Sequence, residues 1–178
     1  MDLTLRKALL ADVPQLRDLI ERSARGLSQE DYRPAQVEGA LRGAFGVDSQ
    51  LLHDETYFVV EDGGECVGCG GWSYRSTLFG GDARAGRDAA LLDPKTQPAK
   101  IRAFFVDPKH ARRGVGSLLL EHCEREARAR GFTAVELMAT LPGVKLYSVR
   151  GYSAMPMVHF DVGGGESIEF VPMRKSLA

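Results

Sequence analysis

The stretch VDPKHARRGVGSLLLEHCEREARARG, from Val106 to Gly131, constrains this chain more than any other. An apolar run (Ile101, Ala103, Phe104, Phe105, Val106) leads into it and breaks at Asp107-Pro108. Four cationic or potentially cationic side chains follow, Lys109, His110, Arg112 and Arg113, and Gly114-Val115-Gly116-Ser117 then opens a long helix. Small residues at a helix start make an anion site. Free N–H groups point out of the helix end, the dipole favours negative charge, and glycine allows close approach to the backbone. Cations ahead of that positive end are unfavourable for the helix alone, so Arg112 and Arg113 point to a bound anion. The ligand expected here bears phosphate.

Val115, Leu118, Leu119, Cys123 and Ala127 fall at helical spacing and form one apolar stripe. Glu121–Arg125, Glu124–Arg128 and Glu126–Arg130 are acid-before-base pairs at i,i+4, expected on the solvated side, and Gly131 is a natural stop. Two phosphate loops are excluded. The dinucleotide fingerprint needs a third glycine where Leu119 stands, and no Gly-Lys-Ser/Thr follows at the P-loop spacing.

The context is an apolar strand, an Asp-Pro turn, a basic loop, Gly-x-Gly, an amphipathic helix, then Leu146-Tyr147 and Gly151-Tyr152. In this the chain resembles the GNAT N-acetyltransferase superfamily, whose signature is a strand, a Gln/Arg-x-x-Gly-x-Gly/Ala loop and a helix. Leu-Tyr and a Gly-aromatic pair follow downstream in that family. The resemblance implies an α+β (mixed α/β) fold, with a central mixed, mostly antiparallel twisted sheet flanked by helices. It implies acetyl transfer from acetyl-CoA directly to a primary amine of a small molecule or peptide, with no metal. The backbone of Phe104, Phe105 and Val106 would pair with the pantetheine arm. The amides of Arg112, Arg113, Gly114, Val115, Gly116 and Ser117 would hold the pyrophosphate, and Tyr147 would act as general acid on the leaving thiolate. Two positions depart from the family pattern: Ala111 stands at the usual Gln/Arg, and Thr140 where many members carry Asn.

The general base stays open. Relatives often carry a carboxylate on the strand before the loop, whereas this strand offers Lys100 and Arg102. Glu136, His159, Asp161, Glu169 or a water are the chemical candidates. A catalytically idle acetyl-CoA-binding or sensing domain is the alternative reading.

At 178 residues the chain suits one domain, residues 1–178. A net charge of −1 argues against a general grip on nucleic acid. No apolar run is long enough to span a membrane, and the first residues lack a signal-peptide pattern. Three cysteines do not suggest a disulfide framework, so a cytoplasmic location is expected. Cys66 and Cys69 form a C-x-x-C within a strand, where strict alternation would point them to opposite faces, and no second pair completes a zinc site.

In chain order, Leu3 to Lys7 reads as a strand. Asp12 and Gln15 read as a capping box opening a helix to about Ala24, and Pro34 to Phe45 as a second helix. Tyr32 and Arg33, between these helices, fit either substrate contacts or ordinary loop residues. Tyr57 to Glu61 and Cys66 to Arg75 form a hairpin about Asp62-Gly63-Gly64, on which Trp72 fits core or substrate wall equally. Thr77 to Ala99 carries five charged residues between Asp82 and Asp93 and two prolines, and reads as an acceptor-site flap or a solvated insertion. Thr133 to Met138 is a strand, and a short helix carries Tyr147. Tyr152 to Val162 and Ser167 to Met173 form a final hairpin across Gly163-Gly164-Gly165, through which a homodimer is conceivable.

Overall fold

The computed structural model describes all 178 residues. The run Tyr57-Phe58-Val59-Val60 shows how the layers form. Tyr57 and Val59 are buried on one face of the sheet, Phe58 and Val60 on the other. A strand covered on both faces reads as an unbroken apolar run.

Eight strands are formed: β1 (Leu3–Lys7), β2 (Tyr57–Asp62), β3 (Glu65–Ser73), β4 (Ala99–Val106), β5 (Ala134–Thr140), β6 (Ser153–Ala154), β7 (Val158–Gly163) and β8 (Glu166–Ser176). They make one sheet in the order β1-β2-β3-β4-β5-β8, with β6 and β7 both on the far edge of β8. Every pairing is antiparallel except β4 with β5. The helices are α1 (Val13–Leu27), α2 (Pro34–Ala40), α3 (Ser49–His53), α4 (Val115–Ala129) and α5 (Val144–Val149). The first three cover one face through Leu16, Leu19, Val37 and Leu51, and the last two cover the other through Leu119, Cys123 and Tyr147. The α+β class expected from the sequence is the one found. No helix is long and apolar enough to cross a membrane.

Several local expectations are corrected. The helix from Pro34 ends at Ala40, not Phe45. Gly39, Gly43 and Gly46 weaken its continuation, and tight turns swing Phe45 into the core against Phe105 and Phe170. The short helix α3, not foreseen, is capped by Asp48, whose side chain accepts from Gln50 N–H at 3.0 Å. Asp12 does not cap α1. Its carboxylate turns back to accept from Leu9 N–H at 2.7 Å and from Arg6, and Gln15 donates to it.

Cys66 and Cys69 share a face. The pairing of β2 with β3 shifts after Val60, so that Val60 faces Gly68 and Glu61 faces Cys66. The extra residue, Val67, breaks the alternation. Burial pushes the Cys66 thiol up to about 11 and the Cys69 thiol up to about 12, so both stay protonated.

None of the three expected i,i+4 pairs on α4 forms. Glu121 takes Arg150 (2.7 Å), Glu126 accepts from the Trp72 indole N–H (2.8 Å), and Glu124 is buried with Lys175 and Tyr152. Tertiary donors displaced exposed intrahelical partners worth only about 0.2–0.5 kcal/mol each. Trp72 is thereby settled as core, 1 % exposed.

Leu119 is fully buried between α4 and the sheet, whereas Leu91 is 69 % exposed on the connection to β4. Leu119→Ala should lower unfolding stability by about 2–5 kcal/mol. Leu91→Ala should stay within about 0.5 kcal/mol of the parent in the same denaturant titration.

Candidate active site

β4 and β5 run parallel for two residue pairs, Ala99 with Val135 and Lys100 with Glu136, and then part. A bulge lies where they separate. Arg102 faces Gly71 and Phe105 faces Cys69, so Ala103 and Phe104 together stand opposite Gly70. Ala103 adopts φ 53°, and the Tyr57 hydroxyl donates to its carbonyl at 2.7 Å. Bulges increase local twist and bend the strand that carries them. Gly70 is required here, since a Cβ would lie 2.4 Å from the Phe104 ring.

The gap between the strands is a narrow cleft of about 70 Å³, with Phe104, Tyr147 and Leu137 on the α4 side. Phe45, Phe79 and Phe170 line the opposite side. Beyond Lys100, β4 has no strand partner toward β5. The Asp107 amide donates back to Val67 on β3 at 2.9 Å, so the preceding Val106 amide points away from β3; it donates to Ser23 Oγ at 3.1 Å. Phe104 and Phe105 therefore line the cleft, and the Val106 N–H just beyond them is already engaged by α1.

At the end of β4, Asp107 holds the turn by accepting from Lys109 N–H (2.9 Å) and Arg22. Arg112 (φ 61°) and Gly114 (φ 89°) both take left-handed conformations. Gly114 suits this at little steric cost, while Arg112 is strained by about 1–3 kcal/mol, a cost that clusters at functional loops. The backbone amides from Arg112 to Ser117 donate to no protein acceptor; the first helical bond is Leu118 N–H to Gly114 carbonyl. Arg112 and Arg113 are exposed beside them. Six free amides and two cations at the positive end of a fifteen-residue helix form an anion cradle.

Arg150 joins this end. Its guanidinium donates to Ser117 Oγ at 3.2 Å and pairs with Glu121. Sequence reasoning missed it because nothing in the spacing of Arg150 marks it as facing α4.

Tyr147 stands on α5 with its ring against Phe104 (6.3 Å between centroids) and Tyr152 (5.7 Å). It lines the cleft, and its hydroxyl has no protein hydrogen-bond partner. Burial pushes its pKa above the ordinary value of 10, which keeps the phenol protonated.

None of the four candidate bases lines the cleft. Glu136 is paired with Lys100, Glu169 accepts from Gln36, Asp161 accepts from Gly163 N–H, and His159 is exposed on β7. Tyr32 and Arg33 are structural. The Tyr32 hydroxyl donates to the Glu169 carbonyl (2.6 Å) and accepts from Leu141 N–H (2.9 Å), and Arg33 pairs with Glu166.

The segment from Thr77 to Ala99 does reach the cleft. Leu78, Phe79 and Gly80 form part of its wall, while Asp88 to Leu91 turn outward. Buried Arg102 holds it there, its Nη2 donating to the Gly80 carbonyl (2.8 Å) and to Asp48 (2.9 Å), its Nη1 to the Thr77 carbonyl (3.4 Å). Asp48 is shared with Arg87 at 2.8 Å. Removing one partner from such a buried set costs about 3–5 kcal/mol. Arg102 Nε, also buried, has no acceptor at all.

The Acetyltransferase (GNAT) family profile matches residues 14–152. No curated protein sequence is similar enough to count as a relative. Among solved structures, a GCN5-related N-acetyltransferase from Rhodopseudomonas palustris is 22% identical, with TM-score 0.72 over 99% of this chain and 96% of that one. PaiA N-acetyltransferase from Thermoplasma acidophilum, in complex with coenzyme A, is 14% identical, with TM-score 0.67 over 99% of both chains. The yncA protein of Salmonella typhimurium, with its cofactor acetyl-CoA, is 16% identical, with TM-score 0.65 over 100% of this chain and 95% of that one. These identities speak for the fold; the family match, spanning both the 112–117 loop and the Tyr147 segment, speaks for membership. The chain belongs to the GNAT acetyltransferase family.

Proposed function

We propose that the protein transfers an acetyl group from acetyl-CoA directly to a primary amine, with Tyr147 as general acid. The observation that carries this reading is one of placement. The unpaired side of β4 and Tyr147, whose hydroxyl is unpartnered, line one cleft, and the free amides of residues 112–117 open the helix whose Gly116 packs against Leu146, the neighbour of Tyr147. The amides, with Arg112 and Arg113, would hold the pyrophosphate. The pantetheine arm would lie along Phe104 to Val106, using the groups of that edge not engaged by Ser23.

The amine nitrogen forms a bond to the thioester carbonyl carbon, and the C–S bond then breaks. The departing thiolate takes the Tyr147 phenolic proton, and the nitrogen loses its extra proton to water. The amine must arrive neutral, although an alkylamine in water titrates near ~10. Desolvation against Phe45, Phe79 and Phe170 favours the neutral form, and no carboxylate lines the cleft to hold an ammonium. A side-chain base is not required.

That same lack of a base is what favours the second reading, a catalytically idle acetyl-CoA-binding domain. The two part on turnover. Under the idle reading acetyl-CoA binds, no amine is acetylated, and Tyr147→Phe changes nothing.

Calorimetric titration with acetyl-CoA tests the cradle. Gly116→Glu puts a carboxylate at the helix end where only the flexible tip of Leu146 is close, at 2.9 Å. Affinity should fall more than about tenfold, or 1.4 kcal/mol; unchanged affinity in a folded variant would remove the cradle. Tyr147→Phe should keep acetyl-CoA affinity and lower kcat by about 10²–10⁴, the range of general acid catalysis.

The pH dependence follows from burial of Tyr147. Its pKa lies above 10, so the acid form persists through neutral and mildly alkaline solution. The rate kcat/KM should climb with pH as the amine deprotonates and show no falling limb below about 10. A decline centred near 8 would exclude Tyr147 as the acid.

A further inference from the structure

We propose that the acceptor is also an acid: an amine with a carboxylate on an apolar body, the carboxylate being received by Arg102. This rests on the acetyl-transfer reading and names the class of its second substrate.

Arg102 lines the cleft on the side away from Tyr147, and the residue is 2 % exposed. Nη2 and Nη1 hold Asp48 and the carbonyls of Gly80 and Thr77, while Nε–H faces no protein acceptor. A buried donor on a charged group without a partner is rare in folded proteins and calls for an acceptor. Guanidinium suits this double task, since one edge can latch the loop while another N–H remains for a carboxylate oxygen.

The local charge balance agrees. Asp48 is divided between Arg102 and Arg87, and Asp82, half-exposed, reaches Arg87 only at 3.4 Å. Arg84 lies over the Phe79 ring at 4.0 Å and donates to a backbone carbonyl, with no carboxylate partner. Three guanidinium groups thus meet two carboxylates on the acceptor side of a protein whose net charge is −1. A diamine or cationic peptide would find no counter-ion there, whereas an anionic group would find both charge and a donor. Phe45, Phe79 and Phe170 supply the apolar walls for the rest of the molecule.

The test is calorimetric binding of 3-phenylpropanoate and 3-phenylpropanamide to the protein saturated with CoA. The two probes match in shape and differ in charge, and neither needs turnover. The carboxylate should bind at least tenfold tighter to the wild type, and Arg102→Gln should abolish that preference while CoA affinity is kept. Equal binding, preference for the amide, or no binding of the carboxylate to the wild type would overturn the inference, even if Arg102→Gln fails to fold. Carboxylate preference without acetylation of any amine would instead uphold acid recognition and sink the acetyl-transfer reading.

Discussion

Two parallel strands that stay paired for only two residues govern everything functional in this protein. Backbone N–H and C=O groups inside a fold need partners, and a sheet that opens in its middle exposes a row of them where water is scarce. The opening between β4 and β5 follows from the bulge at Ala103, pinned by the Tyr57 hydroxyl. The bulge in turn needs Gly70, because the Phe104 ring occupies the space of a side chain. One packing constraint thus produces both the strand edge along which an extended ligand can lie and the passage from one face of the sheet to the other.

The two ends of that passage differ in chemistry because different helix layers close them. On the α4 side, free amides, Arg112, Arg113 and Arg150 gather at a helix start, and a buried tyrosine remains protonated. On the α3 side the wall is mostly phenylalanine, with one guanidinium. Burial pushes Arg102 below its ordinary pKa against the opposing pull of Asp48, a sign of how little solvent reaches it. The same residue latches the long connection from Thr77 across the cleft, so that wall and its charge share one side chain.

The anion cradle was legible in the sequence because it is local. Arg112 to Ser117 are contiguous, and a helix start leaves its first amides free whatever surrounds it. Tyr147 was legible through the family resemblance that Leu146, Gly151 and Tyr152 around it carry. The phenylalanine-lined side of the cleft was not. Asp48 and Arg102 are 54 residues apart, and of the two residues that fitted either substrate contact or ordinary loop, Arg33 pairs outward with Glu166 while Tyr32 braces β8. The glutamates of α4 mislead for the same reason. Their i,i+4 pattern is sound helix chemistry, but Arg150, Lys175 and Trp72 arrive from elsewhere in the chain and bind better.

The sequence by itself determined most of the element order, α3 excepted, and the glycine-rich helix start with its free amides, since periodicity and helix-end chemistry depend on neighbours along the chain. Only the tertiary structure decided that Cys66 and Cys69 share a face, that Trp72 is core, that no carboxylate enters the cleft and that Arg102 does. Bulges and long-range ion pairs settle these points. A single inserted residue inverts strand alternation, and a buried charge takes whichever partner the fold brings within reach.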